Sequence, residues 1–86
     1  MAKALYLVIL SREKWWVDIE GRSYGPFEAR AAAALEARAL ARLAGQGGRE
    51  AEVLVPDEDG RYWVIWSSRF DGVEGETAFT PRRVGR

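Results

Sequence analysis

Hydrophobic and polar positions divide most of the chain into short segments of two kinds. Ala4-Leu-Tyr-Leu-Val-Ile-Leu10 is a continuous apolar run, too short for a confident helix and β-branched at Val8 and Ile9, which predicts a buried strand. Ser11–Lys14 is polar and is expected to close a hairpin. From Trp15 to Glu20 the pattern alternates. Trp15, Val17 and Ile19 point one way, and Trp16, Asp18 and Glu20 the other, as in a half-buried strand. Gly21–Gly25 reads as a loop, and Pro26 suits the first turn of a helix, where its missing N–H costs nothing. Phe27–Ala44 is almost wholly Ala, Leu, Arg and Glu, all strong helix formers, with Gly45 placed to end the helix in a left-handed residue.

Glu50–Val55 predicts a third strand, and Arg61–Trp66 a fourth, joined through a turn at Asp59-Gly60. On a strict two-residue period the fourth strand has Tyr62, Val64 and Trp66 on one face and Trp63 and Ile65 on the other. The expected fold is α+β: two hairpins joined by one helix, ββαββ, forming a four-stranded, mainly antiparallel sheet with the helix packed on one face. Residues 1–66 would form this single domain. Residues 67–86 would form a C-terminal tail, mobile as free termini are, with a short extra strand near residues 77–80 as the alternative.

At 100° per residue the helix gathers Ala33, Ala37, Leu40, Ala41 and Ala44 on one side, with Arg38 and Arg42 projecting away from it. A buried face made mostly of methyl groups brings the helix axis close to the sheet. Interiors are close-packed, so the strand aromatics must supply the missing volume.

Composition narrows the chemistry. With 86 residues the chain is one domain, and its 48% hydrophobic and 12% aromatic content supports a packed core. Formal net charge is zero, so bulk charge lends no support to phosphate binding. The chain has no Cys and no His, which removes thiolates, imidazole ligands and the commonest general base. Ser11, Ser23, Ser67 and Ser68 have no His to activate them, and neither Lys3 nor Lys14 sits in a Ser–Lys motif. Asp57-Glu-Asp59 lacks the spacing of a calcium loop and reads as turn chemistry. Gly45-Gln-Gly-Gly48 follows a helix, whereas phosphate-binding glycines precede one. No catalytic residue, metal or cofactor is expected. No segment reaches the roughly 20 apolar residues of a membrane span, and no signal-peptide layout precedes Ala4, so a soluble cytoplasmic protein is expected.

The layout resembles a small uncharacterised family of ββαββ domains from bacteria and their phages. The resemblance covers roughly residues 4–66 and rests on the W-x-V of Trp15-Trp-Val17, on Phe27 opening a helix with Ala33, Ala37 and Ala41, and on the Asp59-Gly-Arg61 turn. The aromatic-rich fourth strand and the extra tail depart from the family. The resemblance implies a fold and carries no catalytic residue.

The aromatics are the informative feature. One helix covers one side of a sheet, and nothing else in the pattern covers the other. Trp16, either Trp63 or the Tyr62/Trp66 pair of the fourth strand, and Tyr6 are therefore the candidates for an interaction surface that takes a protein partner, with a second copy as the simplest occupant. The alternative is single-stranded nucleic acid, stacked on the sheet aromatics and held by Arg82, Arg83 and Arg86. Asp18 and Glu20, flanking Trp16, would oppose phosphates.

Overall fold

The computed structural model describes residues 3–69 and 82–83. Strands β1 (Ala4–Ser11), β2 (Lys14–Ile19) and β3 (Arg22–Phe27) precede helix α1 (Arg30–Gln46). Strands β4 (Ala51–Pro56), β5 (Tyr62–Ser67) and the two-residue β6 (Arg82–Arg83) follow it. They form one sheet in the order β3-β2-β1-β4-β5-β6. The fold is α+β, but the expected four-stranded, mainly antiparallel ββαββ sheet is corrected to a six-stranded mixed sheet.

The chain departs from the expected path at Gly21. Ile19 pairs with Arg22 across the two-residue turn Glu20-Gly21, whose φ values of 49° and 84° are both positive, as a tight hairpin turn requires. The chain therefore folds straight back along β2 where a loop was expected. Pro26 lies in that edge strand, where a missing N–H breaks no ladder, and not in the first turn of a helix. Phe27 ends β3 and does not open the helix. A third strand before the helix also changes the parity of the path. Three alternating strands and a returning helix leave β4 running the same way as β1, and the two pair in parallel from Ala4/Ala51 to Leu7/Leu54.

The residue before helix α1, Ala29, is extended (φ −138°, ψ 153°) and gives no side-chain cap. Gly45 lies inside the helix. The left-handed terminator is Gly48 (φ +95°): its N–H bonds to Gly45 O at 3.0 Å, and the next N–H, of Arg49, reaches Ala44 O at 3.0 Å. The Arg49 side chain pairs with Glu20, which ties the helix exit to the β2–β3 turn.

The core lies between α1 and one side of the sheet. Ala33, Ala37 and Ala41 are fully buried against Ala4, Tyr6, Val8, Val17, Ala51, Val53 and Trp66, with Trp15, Ile19, Phe27 and Leu40 packed around them. Small helix residues and large strand residues meet as the helical periodicity predicts. Arg38 does not project into solvent: it is only 8% exposed, on the flank of the buried stripe.

Candidate functional site

Strand alternation gives the sheet a second side, facing away from α1. In β1, Ala4, Tyr6 and Val8 belong to the core, so Leu5, Leu7 and Ile9 point outward. Their cross-strand partners point with them. Leu7 lies beside Asp18 and Leu54, Ile9 beside Trp16, and Leu54 beside Val64. Pro56 and Tyr62 complete the row. The described part of this open side is thus an apolar field of Leu5, Leu7, Ile9, Trp16, Leu54, Tyr62 and Val64 spread across four neighbouring strands. Leu54 is only 6% exposed although it lies outside the helix-side core, which shows how closely its outward neighbours crowd it. Leu5, at the margin, is 42% exposed.

Polar tips mark the edges of the field. Trp16 Nε1 donates to Ser11 O at 3.2 Å. Ser23 Oγ donates to Asp18 Oδ1 at 3.2 Å. Tyr62 lies across β4 and its hydroxyl donates at 3.3 Å to Val8 O, one residue past the last β1–β4 pair. Lys3 and Glu52 pair at 3.2 Å where β1 and β4 begin. Burial, and then the nearby Asp18 carboxylate, push the Tyr62 phenol above its ordinary range. Burial also raises Tyr6 on the other side of the sheet, with the Arg49 guanidinium opposing the rise. Both phenols are therefore further from acting as bases near neutral pH.

Of the five candidate aromatics, the structure brings Trp16 and Tyr62 to the open side. Tyr6 is buried beneath the helix, and Trp66, 1% exposed, is the largest fully buried side chain. Trp66 changes sides because β5 carries a bulge: Leu54 pairs with Val64 and Val53 with Trp66, so Ile65 is extra and the two-residue period slips. Ile65 and Trp66 both join the helix-side core, and Tyr62 and Trp66 do not share a face. Trp63 opposes Val55 on the helix side, half-buried. Arg82 and Arg83 form β6 beside Val64 and Trp63, while Arg86 and the strand expected near residues 77–80 lie outside the described residues. Sequence reasoning passed over Leu5, Leu7, Ile9, Leu54 and Val64. For the first three the signal was the unbroken Ala4–Leu10 run, since a strand apolar at every position is apolar on both sides.

Trp63 has a structural task. Its Nε1 donates to Asp57 Oδ2 at 2.9 Å, while Asp57 Oδ1 accepts from the N–H groups of Asp59 (2.8 Å) and Arg61 (3.0 Å). The indole bond, helped by those backbone donors and opposed by partial burial, holds the Asp57 carboxyl below the usual carboxylate range. Gly60 supplies the positive φ (83°) of this five-residue turn. A recess of about 440 Å³ beside it is walled by Arg30, Val55, Pro56, Asp57, Trp63 and Ile65. Its polar groups are engaged in holding the fold: Arg30 Nη1 donates to Pro56 O at 2.9 Å, and both Asp57 oxygens accept from the indole and the turn. Among the described residues no three acidic side chains gather closely enough to hold a metal ion, and no helix is long and apolar enough to cross a membrane.

Compared with protein-family models, with curated proteins and with solved structures, the chain matches none.

Proposed function

We propose that this chain is a non-catalytic interaction module that binds protein through the open side of its sheet, with a second copy of itself as the partner. The observation that carries the reading is the apolar field of Leu5, Leu7, Ile9, Trp16, Leu54, Tyr62 and Val64, on strands whose opposite side is roofed by α1. Contiguous apolar side chains on an uncovered sheet face are characteristic of binding sites.

Face-to-face packing is favoured over edge-to-edge pairing. The β3 edge ends in Gly25-Pro26-Phe27, where a register shift opposite Trp15–Val17 and a residue without an N–H blunt the ladder. The acidic Asp18, close enough to Tyr62 to raise its pKa, sets the ring-bearing field against phosphate and toward protein. The absence of Cys and His from the chain and the fully engaged Asp57 support a role without catalysis.

Light scattering over a concentration series tests this. The wild type should be a dimer at high micromolar concentration, and Trp16→Glu should shift it to monomer with its circular dichroism retained. A wild type that stays monomeric throughout that range rejects self-pairing.

A further inference from the structure

The open side carries charges whose placement orients the self-pairing, so the arrangement they define rests on that self-pairing being real. Asp18 is half-buried beside Leu7, on the open side, and its described bond is the one from Ser23 Oγ. Arg12 stands exposed in the β1–β2 turn, fixed at φ 55°, on the rim of a recess of about 230 Å³ that it forms with Ile9, Ser11, Trp16 and Ser23. Neither side chain has an ion-pair partner among the described residues, whereas Lys3, Lys14 and Arg49 pair with Glu52, Glu28 and Glu20. Asp18 thus stands at one end of the hairpin and Arg12 at the other, where its turn neighbour Glu13 has no ion-pair partner among the described residues either.

Their separation has a definite symmetry. Asp18 pairs with Leu7, and Arg12 lies five residues further along, about 17 Å at the rise of an antiparallel strand. The midpoint falls half a residue past the Ile9–Trp16 pair, toward the turn. A two-fold axis lying between two stacked sheets, perpendicular to the strands at that level, carries each Arg12 onto the partner's Asp18 level. Ile9 and Trp16 of both copies then meet at the centre. A parallel arrangement would instead place like charges level with one another.

We infer that two copies pack open side to open side with their strands antiparallel, about a two-fold axis at Ile9 and Trp16, each Arg12 pairing with Asp18 of the other copy. The apolar field supplies the driving force, and the two ion pairs select orientation and register, the role that charge complementarity plays best at interfaces.

Charge reversal tests the arrangement. Arg12→Asp makes both ends of the hairpin acidic, and Asp18→Arg makes both basic. Each variant alone should weaken self-association at least about tenfold, as like charges replace close opposite ones. Mixed together they should form a heterodimer of near wild-type affinity, because both cross-pairs are then opposite in sign. The chain carrying both reversals should dimerise as the wild type does, and it stands in if either single variant fails to fold by circular dichroism. Unchanged dimerisation in the folded single variants, or a mixture and a double variant no tighter than the singles, overturns this arrangement. The face reading survives that result if Trp16→Glu still dissociates the wild-type dimer. A monomeric wild type removes both.

Discussion

The two sides of this sheet are made from the same strands and nearly the same kinds of residue, yet they end in different states. On the helix side, Val8, Val17, Val53 and Trp66 are sealed to within 1% of complete burial. On the open side, Leu7, Ile9, Trp16, Tyr62 and Val64 remain half-buried. Hydrophobicity does not separate the two sets; a lid does. Ala33, Ala37 and Ala41 let α1 approach close enough to exclude water from one side, and among the described residues no element is placed over the other. The stability of the single chain should accordingly reside on the helix side, and the open side should contribute mainly to association.

The largest expected effect is Trp66→Ala, which empties the biggest fully buried site and should cost about 3–5 kcal/mol in urea unfolding. A loss below about 1 kcal/mol would erase the contrast between the sides. Next comes Ala37→Leu, which forces new methyl groups against the fully buried contact of helix and sheet and should cost about 1–3 kcal/mol. Leu35→Ala, at a position 66% exposed on the outer side of the same helix, should stay within about 0.5 kcal/mol. On the open side, Leu7→Ala should cost the isolated chain only about 1 kcal/mol, measured in a Trp16→Glu background that keeps it monomeric. A cost matching that of Trp66→Ala would mean that the open side is core after all.

The smallest effect is expected at the edge of the helix side, where the Trp63 indole donates to Asp57. The folded-state pKa of Asp57 lies below its unfolded value, so its contribution is complete above the unfolded value and is lost as pH falls through the folded one. Acid titration followed by Trp fluorescence should show a step below the ordinary carboxylate range. Asp57→Asn should abolish that step, because an amide has no carboxyl group to protonate. A step that persists in the variant assigns it to another carboxyl group.

Much of the architecture was legible in the residues. The apolar run of β1, the alternation in β2, the Ala-rich stripe of α1 and the Asp59-Gly60 turn all name their elements. What failed did so for local reasons with global effects. Gly21 and Pro26 read as breakers, whereas one makes a two-residue turn and the other tolerates an edge position. Those two residues hide β3 and thereby reverse the direction expected of β4 relative to β1. Ile65, an ordinary β-branched residue, gives no warning of the bulge that turns Trp66 inward. The site was half legible: an uncovered side with Trp16 and Tyr62 comes from counting layers. The aliphatic field around them needed the register, because which leucine sits beside which is decided by pairing and not by composition.

The parallel pairing of β1 with β4 carries a consequence for how the chain is made. The first strand emerges early and occupies the middle of the finished sheet, but its second neighbour, starting at Ala51, is synthesised 47 positions after Ala4. Until residues 51–54 arrive, one flank of β1 presents bare amide and carbonyl groups next to its most apolar stretch. Closing so long a loop is slow compared with zipping up the adjacent β1–β2 hairpin. A nascent chain halted after α1 therefore offers a ready template to any passing strand, and the helix-to-β4 step is the one on which productive folding depends.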